Sequence, residues 1–157
     1  MKISVVFYSY DGNCAFIARQ IAKALKADLF QIQTVNERKP SGFTKYIWGG
    51  RQVVFNNLPA LKPIDFDASA YDLIILGTPV WAFSPAPAMK SFLSKTKISG
   101  KKVALFMCHA GGPKKAMIKF KSMLADNNIV SEIDFNNPVL DAENSMQKTE
   151  TWAKSLT

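Results

Sequence analysis

The sequence predicts an α/β domain with a five-stranded parallel sheet that is doubly wound, with helices on both faces. Strand-like apolar runs and amphipathic helical segments alternate about five times along the chain. Some of these runs, such as residues 73–76, are apolar without interruption, which is typical of parallel strands covered on both faces. The length of 157 residues fits one domain, residues 1–157.

The first three elements are a strand, a helix and a strand. Ile3–Tyr8 is rich in β-branched and aromatic residues and ends in turn-forming residues, so it is predicted to be the first strand. In residues 15–25 apolar side chains recur at four-residue spacing, which predicts an amphipathic helix. Residues 28–35 alternate between apolar and polar and predict the second strand.

The second half of the chain continues the same alternation. The third strand is predicted over residues 71–77, and its apolar character places it at the centre of the sheet. Pro85 and Pro87 then lead into a helical stripe over residues 88–93. The remaining elements are a strand, a helix, a strand and a helix over residues 102–108, 116–124, 129–135 and 140–156. Residues 42–63 suggest a helix interrupted by two glycines.

Composition excludes several classes of protein. With 48% hydrophobic and 20% charged residues the chain is not disordered, and its longest apolar runs fall far below the roughly 18 residues of a membrane-spanning helix. Because no signal peptide is recognisable, a cytoplasmic location is expected. Cys14 and Cys108 lack metal-binding spacing and His109 is the single histidine, so we expect no metal site.

The loops that follow the strands are the candidate functional segments, because doubly wound sheets bind ligands where the winding reverses at the carboxyl ends of strands. Ser9–Cys14 joins the first strand to a helix N-terminus, whose free N–H groups and dipole favour an anion such as phosphate. A polar turn that only caps the helix fits the same residues equally well.

Other phosphate-binding families fit less well. The chain lacks both GxGxxG and GxxxxGK[ST], which argues against dinucleotide and nucleoside-triphosphate sites. Low-molecular-weight tyrosine phosphatases carry in this loop a cysteine that is followed, after five residues, by an arginine. Counted from Cys14 that position holds Gln20, and Arg19 is one residue early. A response-regulator receiver carries an aspartate at the end of the third strand, where this chain has Gly77 and Thr78.

The segment after the third strand carries two large aromatic residues. A planar ring system could stack on Trp81 while Phe83 shields it from water. The alternative is that both aromatic residues fold back onto the core.

Taken together, these loops resemble those of the flavodoxins and flavodoxin-type reductases, over essentially the whole chain. Ser9–Cys14 is similar to the phosphate loop of that family, Gly77–Phe83 to its first isoalloxazine loop and Cys108–Gly112 to its second. The resemblance implies the flavodoxin-like strand order 2-1-3-4-5 with FMN at the reversal of the winding.

The resemblance also implies which residues contact FMN, and it implies no catalytic side chain. Asp11 stands where the family commonly has threonine, so its carboxylate is expected to point away from the phosphate. The phosphate residues would be Ser9, Tyr10, Asp11, Gly12, Asn13 and Cys14. The ring residues would be Thr78, Pro79, Val80, Trp81, Ala82 and Phe83. The pyrimidine end would meet mostly the backbone of Cys108, His109, Ala110, Gly111 and Gly112.

Three functions are compatible with these features. The family favours an electron carrier that works with a redox partner protein. The second is an NAD(P)H-dependent quinone reductase, which is favoured by small residues in the second loop and by Ala82. By the resemblance, many carriers have a glycine at the position of Ala82, and the peptide of that glycine flips to positive φ. At positive φ an alanine costs roughly 1–2 kcal/mol. The third is an interaction domain without flavin.

The charge distribution bears on partners. Nine lysines lie between Lys90 and Lys121, and no acidic residue lies between Asp72 and Asp126. This stretch could face an acidic partner protein or the phosphates of NAD(P)H, or be a solvated surface that only aids solubility. Nucleic-acid binding has no motif beyond the charge.

Overall fold

A computed structural model describes residues 1–36 and 58–157 of the chain. The interrupted helical pattern predicted over residues 42–63 lies, as far as residue 57, outside these described residues. Among the described residues, no helix has the length and apolar character needed to cross a lipid bilayer.

Strands and helices alternate along the described chain in the predicted order. The helices are α1 (Asn13–Leu25), α2 (Pro87–Lys95), α3 (Lys114–Ser122) and α4 (Ala142–Lys154). The strands are β1 (Ile3–Tyr8), β2 (Asp28–Ile32), β3 (Leu73–Trp81), β4 (Ser84–Pro85), β5 (Lys102–His109) and β6 (Asn128–Asn136). A single turn of 3₁₀ helix, Ala68–Ala70, precedes β3.

The sheet has the predicted topology. Its strands run in the order β2-β1-β3-β5-β6, and all of these neighbours are parallel. The two-residue β4 pairs only with β3 and is antiparallel to it. Counted along the chain, the five parallel strands therefore have the order 2-1-3-4-5, and the winding reverses between β1 and β3.

Alternate side chains of the strands build a core on each face of the sheet. On one face, Val6, Leu76 and Leu105 pack in a cluster with Phe92 of α2 and Phe120 of α3. The neighbouring positions point the other way, so Val5, Ile75 and Phe106 share the second cluster with Ile17 of α1 and Trp152 of α4. Among the described residues, two helices thus cover each face, which confirms the prediction of helices on both faces.

Two strand ends differ from the predicted ones by three residues or more, and the other strand boundaries differ by at most two. β3 continues to Trp81 instead of ending at residue 77, because its last residues form a hairpin in which Trp81 pairs with Ser84. β2 ends at Ile32 instead of residue 35, and beyond it Thr34 makes an isolated antiparallel bridge with Leu61. The segment predicted as a loop after the third strand is therefore strand and hairpin.

Candidate functional site

A cavity of about 610 Å³ lies at the carboxyl ends of the parallel strands. This volume falls within the range of roughly 300–1,000 Å³ that is common for sites of small molecules and cofactors. Four described segments form its walls, and they lie at the carboxyl ends of β1, β3, β5 and β6 or in the loops that follow. The lining residues are Ser9, Tyr10, Asp11, Asn13, Cys14, Pro79, Val80, Trp81, Ala82, Cys108, His109, Ala110, Asn137, Val139 and Leu140.

The cavity brings together residues from all three loops singled out in the sequence. Five of the residues predicted to contact FMN are not among the lining residues, namely Gly12, Thr78, Phe83, Gly111 and Gly112. Thr78 is buried, and its Oγ1 accepts a hydrogen bond from the Ala86 N–H at 3.1 Å, so its role there is structural. Phe83 is 66% exposed and does not wall the cavity.

The fourth wall of the cavity is not predicted from the sequence. Asn137, Val139 and Leu140 follow β6 and carry no motif that marks them as functional. Asn13 Oδ1 accepts a hydrogen bond from the Val139 N–H at 3.3 Å, which ties this wall to the start of α1. The predicted topology could have indicated this wall, because the loops that follow the parallel strands of such a sheet all lie at the same edge.

The N-terminus of α1 forms the anion-attracting end of the cavity. Its N-cap residue, Gly12, has φ 89° and makes no side-chain cap, and the first turn contains no acidic residue. Ser9 Oγ accepts the Ala15 N–H at 3.1 Å, which holds the loop against the helix and leaves the hydroxyl proton of Ser9 free to donate. The exposed start of the helix and its dipole therefore favour a bound anion.

Among the described residues that line the cavity, Asp11 is the single acidic one. A carboxylate about 4 Å from a phosphate costs about 4 kcal/mol per unit charge at an effective dielectric constant of 20. Asp11 is exposed to solvent, a position from which its carboxylate can remain hydrated instead of facing a bound anion.

Both cysteines are buried and reduced at the floor of the cavity. Burial raises the pKa of the Cys14 thiol well above its usual value, and the neighbouring Cys108 raises it further. Cys14 is therefore a neutral thiol at physiological pH and adds no negative charge beside the helix N-terminus. Within the described ranges, no three His, Cys, Asp or Glu side chains come together as metal ligands.

The raised pKa of Cys14 predicts a loss of stability at alkaline pH. In the unfolded chain a thiol ionises near pH 8.5, whereas folding keeps the Cys14 thiol protonated. The contribution of Cys14 to the free energy of unfolding is therefore complete below that pH and is lost as the pH rises above it. Between about pH 8.5 and pH 10 the free energy of unfolding should fall by up to about 1.4 kcal/mol per pH unit. Urea denaturation across this range measures the slope.

The matched variant for this experiment is Cys14→Ala, which should show a shallower slope whatever its stability at pH 7. The window stays below about pH 10 because burial and the Asp28 hydrogen bond also raise the pKa of Tyr71, which contributes at higher pH. Equal slopes for both proteins would show that Cys14 does not titrate in this way.

Trp81 is held at the cavity wall by two tyrosines. The rings of Tyr10 and Trp81 meet edge to face with centroids 5.4 Å apart, and Tyr8 makes a similar contact at 6.0 Å. These contacts fix the plane of the partly exposed indole, which lines the cavity. Of the two aromatic residues after the third strand, Trp81 alone is thus placed to stack on a planar ligand.

The turn beside Trp81 is strained. The hairpin from Trp81 to Ser84 has two central residues, Ala82 with φ 45° and Phe83 with φ 58°, and two-residue hairpins with positive φ at both positions favour Asn and Gly. Ala82 already occupies the left-handed region in this structure. The cost of roughly 1–2 kcal/mol that positive φ imposes on an alanine is therefore present before any peptide flip. Ala82 therefore does not favour the quinone reductase over the electron carrier in the way that the sequence suggests.

Replacing Ala82 with glycine should stabilise the protein. Glycine removes the strain of positive φ, and this gain outweighs the larger backbone entropy of glycine in the unfolded chain. The free energy of unfolding should therefore rise by about 0.5–1 kcal/mol. Ala110→Gly is the matched control, because Ala110 is an exposed loop residue without positive φ and the same change there should be destabilising. If chemical denaturation gives both variants the same sign, the turn is not strained.

His109 fixes the loop that follows β5. Its Nδ1 accepts the Gly112 N–H at 3.0 Å, so the ring proton lies on Nε2 and is donated to Asp134 Oδ2 at 2.9 Å. The imidazole thus bridges the 110–112 loop and β6. Its hydrogen bonds make His109 a positioning residue of the cavity wall.

Comparison with known proteins gives one family and one fold. A sequence model described as Flavodoxin matches residues 2–154. A flavoprotein from Lactobacillus acidophilus solved in complex with FMN has a TM-score of 0.75 and 23% identity, over 89% of this chain and 97% of that chain. Oxidised flavodoxin 2 from Bacillus cereus has a TM-score of 0.60 and 20% identity, over 97% and 95% of the two chains.

A third solved structure, the two-electron reduced flavodoxin of Megasphaera elsdenii, has a TM-score of 0.62 and 20% identity, over 97% of this chain and 98% of that chain. No curated protein matches the sequence significantly. At these identities the solved structures establish the fold, and the family assignment comes from the sequence match.

Proposed function

Because the chain belongs to the flavodoxin family, we propose that it is a flavoprotein that binds FMN in the cavity of about 610 Å³ and transfers electrons. One observation carries the proposal. The N-terminus of α1, where the N-cap residue Gly12 has no side chain, and the indole of Trp81 border the same cavity, at the edge of the sheet where the winding reverses. An anion site and a stacking surface in one cavity match the two ends of FMN.

The phosphate end of the proposed site is the loop before α1. The phosphate would accept hydrogen bonds from backbone N–H groups of Ser9–Cys14 and from the Ser9 hydroxyl, close to the positive end of the helix dipole. The neutral Cys14 thiol and the exposed Asp11 leave this end compatible with a dianion.

The ring end would lie against Trp81 and the backbone of residues 79–82, with the 108–112 loop at its pyrimidine edge. His109 keeps that loop in place through its bonds to Gly112 and Asp134, so the N–H groups of the loop can be aimed at ring oxygens. Bound FMN supplies reversible transfer of one or two electrons. The protein binds and orients it, and the arrangement calls for no general acid or base.

A reductase that uses NAD(P)H directly is the second candidate. The observation in its favour is the second loop, where Ala110 and Gly111 are small and exposed and provide no aromatic cover. An open flavin face would admit a nicotinamide or a quinone. The flavin-free interaction domain is supported by Asp11, which stands where the family commonly has threonine, and not by Cys14, whose buried neutral thiol is no obstacle to phosphate.

Reconstitution followed by stepwise anaerobic reduction tests these functions. The protein should acquire a flavin spectrum with FMN, and its absence would leave the interaction domain as the remaining function. Rapid bleaching of that spectrum by NADPH, with turnover of a quinone, would identify the reductase. Reduction by dithionite but not by NADPH, with a long-wavelength band at half reduction, would identify the carrier.

A further inference from the structure

Two large apolar side chains project into solvent on the Trp81–Ser84 hairpin and on α3. Phe83, at the tip of the strained hairpin, is 66% exposed, and Ile118 on α3 is 65% exposed. The two belong to one surface, because α3 packs against β4 at the base of the hairpin and the Lys115 ammonium lies 5.7 Å from the centre of the Phe83 ring. Ile118 follows Lys115 by three residues on the exposed side of α3.

Lysines surround these two side chains. We call this surface, which consists of Phe83, Ile118, Lys90, Lys114, Lys115 and Lys119, the cationic face. Neither α2 nor α3 contains an acidic residue, and no carboxylate of the described residues forms an ion pair with these four lysines. By contrast, Lys121 on the edge of α3 pairs with Glu132 and does not belong to the face.

Two lysines of the cationic face, Lys90 and Lys119, lie close enough to repel each other. Partial burial lowers the pKa of Lys90, and the nearby charge of Lys119 lowers it further. An approaching carboxylate would relieve this repulsion and replace part of the lost hydration. The cationic face therefore favours the binding of a negatively charged group more than a surface with mixed charges does.

The position of the cationic face connects it to the redox site. Ala82 lines the cavity and Phe83 is the next residue, so a molecule that covers Phe83 also comes to the mouth of the cavity. Electron transfer requires such proximity between the flavin and its partner.

We propose that the cationic face is the docking surface of an acidic redox protein that exchanges electrons with the bound flavin, an inference that rests on the proposed function. Exposed apolar side chains with like charges beside them match the usual organisation of a protein interface, in which apolar residues lie next to a charged rim. A dinucleotide would instead need a concave site, whereas these side chains project from a helix and a hairpin tip.

Stopped-flow electron transfer to two soluble haem proteins tests the proposal. The FMN-loaded protein is reduced anaerobically and mixed with ferric cytochrome b5, which is acidic, or with ferric cytochrome c, which is basic. Each reduced flavin gives one electron to each of two ferric haems, releases its protons to solvent and returns to the oxidised form. The rate with cytochrome b5 should fall about tenfold between about 20 and about 300 mM salt, and the rate with cytochrome c should rise.

Matched charge reversals separate docking from the effect of net charge. Lys115→Glu alters the cationic face, whereas Lys23→Glu makes the same change on α1, which covers the opposite face of the sheet. At low salt, Lys115→Glu should slow reduction of cytochrome b5 about tenfold and Lys23→Glu less than about twofold. Equal effects of the two variants would overturn the proposal, because net charge alone would then explain the rates.

Two further outcomes are distinguishable. If the protein acquires no flavin spectrum, the proposed function fails before any docking is measured. If Lys115→Glu instead raises the KM for direct reduction by NADPH about tenfold and leaves the cytochrome b5 rate unchanged, the lysines bind a dinucleotide and the docking proposal is wrong.

Discussion

Substitution of Gly77 by alanine is expected to lower the free energy of unfolding by about 3 kcal/mol or more. Gly77 lies in the centre of β3, between β1 and β5. A Cβ atom there would lie 1.9 Å from Cζ and 2.1 Å from Cε1 of Phe106, a side chain with no exposed surface. Because both strands are held by neighbours on each side, neither the backbone nor the ring can yield without disturbing the core.

Gly111→Ala is the control for this prediction. An added Cβ at Gly111 meets no atom within 4 Å and its φ is not positive, so alanine there should be neutral or stabilising by up to about 1 kcal/mol. The double change Gly77→Ala with Phe106→Leu should recover part of the loss, since leucine lacks the outer ring atoms. Denaturation that finds Gly77→Ala as stable as Gly111→Ala would contradict this account of the sheet centre.

Substitution of Trp81 by alanine is expected to weaken FMN binding at least about 30-fold, which corresponds to about 2 kcal/mol. The variant loses the stacking surface and the apolar area that the indole would bury against the flavin ring. Because the effect belongs to the ring, riboflavin, which lacks the phosphate, should lose affinity by a similar factor. Quenching of flavin fluorescence measures both affinities.

Ser9→Ala supplies the opposite pattern. The Ser9 hydroxyl is at the phosphate end, so its loss should weaken FMN binding by about tenfold and leave riboflavin nearly unchanged. Circular dichroism of each variant checks that the fold is retained, which matters for Trp81 because of its contacts with Tyr8 and Tyr10. A loss of less than about threefold for Trp81→Ala would mean that the flavin does not stack on this residue.

Much of the fold was predictable because its signals are local. Buried parallel strands such as β3 must be apolar on both faces, and helices such as α1 must carry one apolar stripe, so each element can be recognised from its own residues. The strand order came from the family resemblance and not from these patterns. The hairpin that extends β3 had no local signal, since Ala82 and Phe83 are unusual at positive φ and Pro79 is unusual within a strand.

The site was predictable to the extent that it lies in loops with distinctive residues. Glycine and polar residues before α1, and the aromatic residues Trp81 and Phe83 at the end of β3, indicated an anion and a planar ring. Which aromatic residue faces the cavity depends on the strained turn, which points Phe83 to solvent while Tyr8 and Tyr10 fix Trp81. The wall formed by residues 137–140 depends on where β6 ends relative to α1, which is a property of the tertiary structure.

Titration of the purified protein with FMN and with riboflavin, followed by flavin fluorescence, tests the central claim most directly. We predict saturable quenching by one FMN per chain, with riboflavin bound at least about tenfold more weakly because the N-terminus of α1 contributes only to the phosphorylated ligand. Absence of quenching would contradict a flavin site in the cavity. Equal affinity for both ligands would contradict the assignment of the phosphate to the start of α1.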